Sequence, residues 1–560
     1  MSYTQEQLER QLRSQLTNVN GHSSASVQQL AASGTAQVNG HSVEILVRYA
    51  ANQEKLPEIR CLTPHKGIKP HVGHECGTIC YSSGPVVIDY KQPDAVVGKA
   101  LTQALGTLRD ALTGDSLDGI LDEFMHHWGL MAPRSAANSV FCAIEPKSDV
   151  HQVESYYSKD GTLRLVTDGS IEVERVLPED SLFSGRAIYV GLERLTSFPR
   201  TEKKWTQKSF RDFIYSNLTR PARRRLQRLS EKLGKVPCVF GVPRNNSTWA
   251  MVGQDPTGDD VQDWLSSGDG EIAPRFFVTQ RLDRTFLLPR GGANKSLKDC
   301  RVMLVGCGAI GCRIAEFLGA SGIGYLKLVD PDKLSVENTY RHNLGLSWIG
   351  KSKSLVTKVL LERRFPYLRV DVTDSALSPS DEADSQIDII VCATGDPCVE
   401  RPLNSRLQRH GLMTAHVYAW VEPLGLGGHT VVVVPGLPGC LECLYSDPQG
   451  DGRIYNRTAF VGDPSDQSLF LNLNGCGGGH TPFSDLDAVK TAEQTCRLVL
   501  RALSDPTPTV VSWRGQFSEY EARQLPLSPR FRAPEEALRL TGTSFHSTTC
   551  PVCASLNAAV

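Results

Sequence analysis

Between Val302 and Lys353 the chain assembles residues suited to holding phosphates. Gly306, Gly308 and Gly311 fall in VMLVGCGAIG, an apolar strand running into a glycine turn. Such glycines let backbone N–H groups and the start of a helix approach a phosphate. Asp330 ends a second apolar strand, YLKLVDPD, where a carboxylate can hold ribose hydroxyls. A glycine turn with an acidic residue about 20 positions on first suggests NAD. Asn338 and Arg341 in ENTYRHN and Lys353 in GKSK then shift the expectation to ATP. Hydride transfer has no evident need for these polar and cationic side chains. Asp396 ends a further apolar strand, IDIIVCATGD, and adds a carboxylate for a metal ion.

Thiols form the second set. Cys440 and Cys443 make one C-x-x-C knuckle, and Cys550 and Cys553 another. Four thiolates are the closed tetrahedral set for structural Zn²⁺, so zinc is expected here. Unpaired buried cysteines or a redox pair are the alternatives. Roughly a hundred residues part the knuckles, so a metal would pin the C-terminus onto its domain rather than fold a small finger. Cys476 stands beside three glycines, which favours an accessible thiol over a loop cysteine of no consequence. Near the N-terminus, His71, His74, Cys76 and Cys80 crowd one irregular segment. Their spacing matches no common zinc pattern. A metal site, an incidental cluster and a catalytic thiol all remain open on spacing alone.

The elements that must position these residues follow from periodicity. Leu8, Leu12 and Leu16 predict an N-terminal helix, and residues 19–40 read as loop with a loose strand start. VEILVRYA and EIRCL are strands, and VVGKALTQALGTLRDAL is an amphipathic helix. LDGILDEFMHHWG predicts another helix. From about 150 to 290 strands and helices mix, with a hairpin expected at the Asp168-Gly169 turn. The cluster Arg220, Arg223, Arg224, Arg225 and Arg228 reads as a solvated helix face. Residues 291–299 read as a flexible lead. Beyond them strands and helices alternate, predicting a mostly parallel, doubly wound sheet.

Size and composition fit this picture. The 560 residues allow several domains, and 40% hydrophobic with 22% charged residues is ordinary for a globular protein. A net charge of −1 gives no reason to expect nucleic acid or an acidic membrane surface. The N-terminal stretch is polar and no run is long enough to span a membrane, so a cytoplasmic protein is expected. The 16 cysteines then read as buried thiols, metal ligands or catalytic groups.

From about 296 to 560 the ordered set GCGAIG, LVDPD, Asn338-x-x-Arg341, Gly350–Lys353, Asp396 and two knuckles resembles the ThiF/MoeB family and ubiquitin-activating enzymes. The resemblance implies adenylation of a C-terminal carboxylate with ATP and Mg²⁺. Asp330 and Asn338 would hold the ribose and nearby phosphate groups. Arg341 and Lys353 would steady the triphosphate, and Asp396 would hold Mg²⁺. An arginine from a partner subunit, Arg281 or Arg284, would add charge, and a homodimer is implied. Cys476 lies where that family often places a thioester-forming thiol.

His71 and Gly77-Thr78-Ile79-Cys80 resemble ubiquitin-conjugating enzymes, whose nucleophile maps onto Cys80. Those enzymes have Pro-Asn after the histidine, and Val72-Gly73 stand here instead. Together the halves resemble the fused bacterial enzyme of CBASS anti-phage operons. The expected domains are 1–140 (ubiquitin-conjugating-like, α+β), 141–290 (linking, α/β) and 291–560 (doubly wound, Rossmann-like ThiF adenylation domain with structural zinc). The implied partner is the C-terminus of a cGAS-like nucleotidyltransferase or a ubiquitin-like protein, passed to acceptor lysines through Cys476 and Cys80. A sulfur-carrier adenylyltransferase is the alternative, as is another bacterial ubiquitin-like conjugation enzyme.

Overall fold

A computed structural model describes residues 3–22, 28–64, 69–73, 76–82, 84, 86–113, 140–177, 182–193, 207–243, 249–255, 275–409, 414–446, 454–463, 469, 471–472, 479–515 and 518–554. They form two compact units, Met1–Gly169 with Asp180–Asp283, and Ser170–Glu179 with Arg284–Val560. The helix expected over LDGILDEFMHHWG lies outside the described residues, as do His74 and Cys476.

The first unit opens with helix α1 (Gln5–Leu12), capped by Thr4, whose side chain accepts from the Gln7 N–H. Strands β1 (Thr17–His22), β2 (Gln29–Val38), β3 (His41–Ala50) and β4 (Glu58–Cys61) follow as an antiparallel meander. Helix α2 (Pro93–Thr113) closes the group. Residues 19–40 are thus largely strand rather than loop. Their Ala and Ser content hid this: Ala31, Ala32, Ser33 and Ala36 are all buried. Small side chains there let α1 approach closely, and Gln5 Nε2 donates to Ala31 O at 2.8 Å. Leu8, Leu12, Ile45, Val47, Val97 and Leu101 fill the core between helices and meander.

Residues 140–281 form a closed barrel of seven strands: β5 (Val140–Ala143), β6 (Val150–Tyr157), β7 (Leu163–Thr167), β8 (Phe183–Gly191), β9 (Cys238–Pro243), β10 (Trp249–Asp255) and β11 (Arg275–Arg281). Helices α3 (Gln207–Ser216) and α4 (Arg220–Leu233) bury Phe210, Phe213, Ile214 and Leu226 against Val150 and Ile188. The turn at Asp168-Gly169 does not make a hairpin. Gly169 has φ +81, and the chain then leaves the barrel, since Ser170–Glu179 belong to the second unit. Arg175 explains their placement. Its Nη1 donates to Pro366 O at 3.3 Å and Leu368 O at 2.8 Å, and Nη2 lies 3.2 Å from Glu362.

The second unit is built on an eight-stranded sheet: β12 (Arg301–Val305), β13 (Tyr325–Val329), β14 (Arg369–Thr373), β15 (Ile389–Cys392), β16 (Ala415–Val421), β17 (Gly427–Val433), β18 (Thr509–Arg514) and β19 (Arg539–Thr541). The spatial order is β14-β13-β12-β15-β16-β17-β18-β19. The first five run parallel, and the last three pairings are antiparallel. Helices α5 (Ala309–Ser321), α6 (Lys353–Arg364), α7 (Pro397–Arg409) and α8 (Asp485–Ala502) cover it. Alternation along β12 feeds both faces. Val302 and Leu304 join Ile314 and Val499 in one core, while Met303 and Val305 join Leu403 and the four knuckle cysteines in another. The expected doubly wound sheet is present. The flexible lead is not: Lys295–Asp299 form a 3₁₀ turn capped by Asn294, and Leu297 packs on the core.

Candidate active site

The chain winds outward from β12 in both directions, so β12 and β15 flank a switch point where strand order reverses. Ligands bind outside the carboxyl ends of strands at such points. Gly306 leaves β12 with φ +92, and a Cβ on it would lie 2.9 Å from Ala393 O at the end of β15. Gly311 is needed for contact, since its Cβ would fall 1.9 Å from Gly306 O. Gly308 is the N-cap of α5, with no side chain capping it. The first-turn N–H groups of that helix therefore start at the glycine turn.

Asp330 is buried and braces this turn. Oδ2 accepts from the Cys307 N–H at 2.6 Å and Oδ1 from the Asp332 N–H at 2.7 Å. His342 grips the other side of the same peptide: its Nε2 lies 2.7 Å from Cys307 O, while Nδ1 accepts from the Leu344 N–H at 3.2 Å. The second bond makes Nε2 the protonated nitrogen. Burial lowers the His342 pKa, which keeps that neutral tautomer. Asn338 Oδ1 accepts from Ser335 N and Oγ at 3.1 Å, fixing the turn that leads to Arg341. Arg341 is half-buried over the Phe483 ring at 5.2 Å, and burial lowers its pKa. Lys353, 9% exposed at the start of α6, pairs with Asp332 at 2.9 Å. Ser354 Oγ donates to Asp330 O at 3.2 Å and ties α6 to the same rim.

Asp396 lies on the other lip. It is exposed, precedes α7, and its Oδ1 accepts from the Cys398 N–H at 2.8 Å. Glu400 holds this loop from inside: one oxygen, Oε1, accepts from Thr394 Oγ1 at 2.8 Å and from the Gly395 N–H at 3.1 Å. Burial pushes the Glu400 carboxyl up to about 8. Of the arginine candidates, Arg281 is engaged inside the barrel unit by a bidentate pair with Asp283 at 2.7 Å. Arg284, in the second unit, donates to Tyr367 O at 3.0 Å and lies over that ring.

The thiols separate into two settings. Residues 71–73 and 76–80 fold back on β4, with the Cys80 N–H donating to His71 O at 2.8 Å and the Ile79 N–H to Ile59 O at 2.8 Å. Val72 and Ile79 are buried, so alternation leaves Cys80 exposed. Gly73 stands at the position of the absent asparagine without a side-chain donor, and its N–H donates to Thr78 O at 2.8 Å. Cys76 is also exposed, and hydrogen bonding to Thr78 holds its thiol below the usual range. The other setting is closed. Cys440, Cys443, Cys550 and Cys553 are buried with all four sulfurs within 4.8 Å of one another. Their nearest separations are 3.3, 3.7 and 3.9 Å. Tetrahedral thiolate ligands about 2.3 Å from zinc would stand about 3.8 Å apart, so the four sulfurs could hold such an ion.

His342, Asp332 and Glu400 are the site residues that sequence reading missed. His342 stands directly after Arg341, in the motif already singled out, but nothing in its spacing reveals a contact with Cys307.

The second unit is thus a doubly wound α/β domain whose glycine turn opens at a switch point, braced by Asp330 on one side and followed across the sheet by the Asp396 loop. Residues 283–559 match the ThiF family. Protein y4qC of Sinorhizobium fredii is 28% identical over 39% of this chain and 39% of its own length. Two proteins named ATP-dependent ubiquitin transferase-like protein Cap2 align far more widely. That of Pseudomonas aeruginosa is 23% identical over 80% of this chain and 82% of its own. That of Escherichia coli is 28% identical over 78% and 81%. The chain thus spans less than half of the first relative and about four fifths of the other two. Its second unit is thus similar to the ThiF family, and most of the chain is similar to these two ATP-dependent ubiquitin transferase-like proteins. No described helix is long and apolar enough to cross a membrane.

Proposed function

We propose that the second unit adenylates the C-terminal carboxylate of a protein partner and that the chain then passes the acyl group between two of its own thiols. The observation that supports this is the Gly306–Gly311 turn at the switch point, with Asp330 bonded to the Cys307 N–H and Lys353 paired with Asp332 beside it. Carboxylate attack on the α-phosphorus of ATP brings two anions together and expels pyrophosphate. Arg341 and Lys353 offset that repulsion, and the α5 N-terminus faces the phosphates. Asp396 fits the Mg²⁺ that would travel with ATP, because its carboxylate is exposed and, among the described residues, only Oδ1 is engaged, by the Cys398 N–H. Mg²⁺ supplies charge neutralisation on the phosphate oxygens. The buried sulfurs of Cys440, Cys443, Cys550 and Cys553 fit structural Zn²⁺.

The acyl-adenylate is activated for attack by a thiolate, which displaces AMP. Cys476 is assigned that step from its glycine-rich surroundings and its place in the family pattern. Cys80 takes the acyl group by transthioesterification, releasing the Cys476 thiol, and an acceptor amine then displaces the Cys80 thiol to leave an amide. The α1, four-strand meander and α2 arrangement, with an exposed Cys80 between meander and α2, supports a conjugating role for residues 1–140. Residues 141–290 are read as linking. A cGAS-like nucleotidyltransferase in anti-phage defence is the proposed client and a cytoplasmic homodimer the proposed form, with Arg281 or Arg284 of the partner subunit adding charge to the site.

Enzyme, ATP and a purified candidate client, resolved on a non-reducing gel, test the scheme. Wild type gives an ATP-dependent, thiol-labile adduct. Loading of Cys80 in Cys476→Ala overturns the order of the relay. Undiminished conjugation in Cys80→Ala removes the first unit from the transfer.

A further inference from the structure

A cavity of about 550 Å³ opens in the second unit between segments 455–462 and 528–533, apart from the glycine turn. Its size is that of a ligand site. Two guanidinium groups line it, those of Arg457 and Arg530. Among the described residues, main-chain carbonyls hold both. Arg457 donates to Cys443 O and to Phe545 O at 3.0 Å. Arg530 donates to Ala537 O at 3.0 Å and Leu538 O at 3.4 Å. Among the described residues neither has a carboxylate within ion-pair distance. The Arg530 Nε–H is buried and has no partner among the described residues. Burial also lowers the Arg530 pKa, which marks a cation short of compensating charge. These carbonyl bonds fix both groups in place, so a guest need not order them.

The wall beside the arginines is suited to a peptide. Tyr455 and Asn456 line the cavity and belong to a two-stranded ribbon, paired on one side with Tyr445 and Ser446. On that strand Asn456 O already accepts from the Ala459 N–H at 3.1 Å, so an extended chain would pair on the Asn456 N–H alone. Ser528 adds a small polar group across the opening.

We propose that this cavity is a docking subsite for an acidic peptide segment, whose side-chain carboxylate meets Arg457 and Arg530 while its backbone runs along Tyr455–Asn456. The segment belongs to the protein whose C-terminus is adenylated, so the assignment rests on the adenylation reading. Charge complementarity favours an acidic segment over a neutral one, and the ribbon edge favours a peptide over a free anion.

The probe is acetylated, amidated hexaglutamate carrying fluorescein, titrated with the full chain and read by anisotropy. Hexaglutamine is the neutral comparator. Hexaglutamate is expected to bind at least about tenfold more tightly, and added salt to weaken it. Arg530→Gln is expected to lower that affinity about tenfold. Ala533→Glu keeps both arginines and places a carboxylate on the cavity wall, and it is expected to abolish binding. Equal binding of the two peptides, or full binding by A533E, overturns the subsite. Inorganic phosphate that displaces the probe at equal concentration overturns the peptide assignment. Binding of a fluorescent ATP analogue is measured on the same samples and is expected to be unchanged by A533E. Absent nucleotide binding in wild type defeats the adenylation reading, whereas intact nucleotide binding without hexaglutamate binding defeats the subsite.

Discussion

Arg401 and Glu442 form a bidentate ion pair, with contacts of 2.9 Å at Nε and 2.6 Å at Nη2. Arg401 lies on α7, directly after Glu400, and Glu442 lies between the two cysteines of the first knuckle. The pair therefore links the thiol cluster to the helix that carries the Asp396 loop. Asn404, fully buried on α7, accepts from the Leu441 N–H at 3.4 Å and adds a second link. Arg401→Leu and Glu442→Leu are each expected to lower unfolding stability by about 1–3 kcal/mol, and the double variant by less than the sum. Urea unfolding of all four proteins measures the coupling. Both single variants are also expected to bind Mg²⁺-ATP several-fold more weakly.

Glu400 gives a pH signature. Its carboxyl is raised from 4.5 to about 8 because burial disfavours the charged form. A raised folded value means stability fully present below about 4.5 and lost as pH rises through about 8. Both hydrogen bonds reach Oε1, the acceptor that an amide retains. Glu400→Gln is thus expected to keep the loop while removing on the order of 2–4 kcal/mol of the pH dependence between pH 5 and 9. Urea midpoints of wild type and E400Q across that range decide it. Parallel curves for the two proteins exclude Glu400 as the titrating group.

His342 positions the Cys307 peptide opposite Asp330. His342→Ala leaves the Cys307 carbonyl without that donor and opens a gap beside the glycine turn. Its expected cost is about 1–3 kcal/mol in stability and a roughly tenfold loss of ATP affinity. His342→Gln, which retains an N–H donor, is expected to recover part of both. Equal affinity in all three proteins would remove His342 from the site.

Metal content is the fourth prediction. One Zn²⁺ per chain is expected by elemental analysis, and Cys443→Ser is expected to lower both zinc content and thermal stability. A zinc-free protein as stable as the loaded one overturns the structural role. The expected loss is several kcal/mol, given what four-thiolate sites contribute to folding.

Much of the second unit was legible because its signals are local. Apolar runs ending in Gly306, Asp330 and Asp396 mark parallel strands, and the order of motifs marks the rim. The contacts that hold the rim were not legible. Asp330 with Cys307, His342 with Cys307, and Lys353 with Asp332 join residues 21 to 35 positions apart, and no spacing rule reports such pairs. The first unit misled where strands are built from small residues. Ala31, Ala32, Ser33 and Ala36 carry no hydrophobic periodicity, yet they are buried because α1 needs the room. The turn at Asp168-Gly169 misled for another reason. Its local chemistry suits a hairpin, but Ile171 and Leu177 are buried and Arg175 finds its partners in the second unit.

That detour has a consequence for how the protein is made and cut. Arg175 leaves the ribosome long before its partners, which lie 191 and 193 residues further along the chain. Until then its segment is an unfilled strip, so the second unit finishes folding only after the barrel strands on either side have been synthesised. The two units are likewise not separable by one scission. A fragment starting at Arg284 omits Ser170–Glu179 and leaves the Pro366 and Leu368 carbonyls and Glu362 without their guanidinium. Complementation of that fragment by a synthetic 170–179 peptide follows from the same geometry.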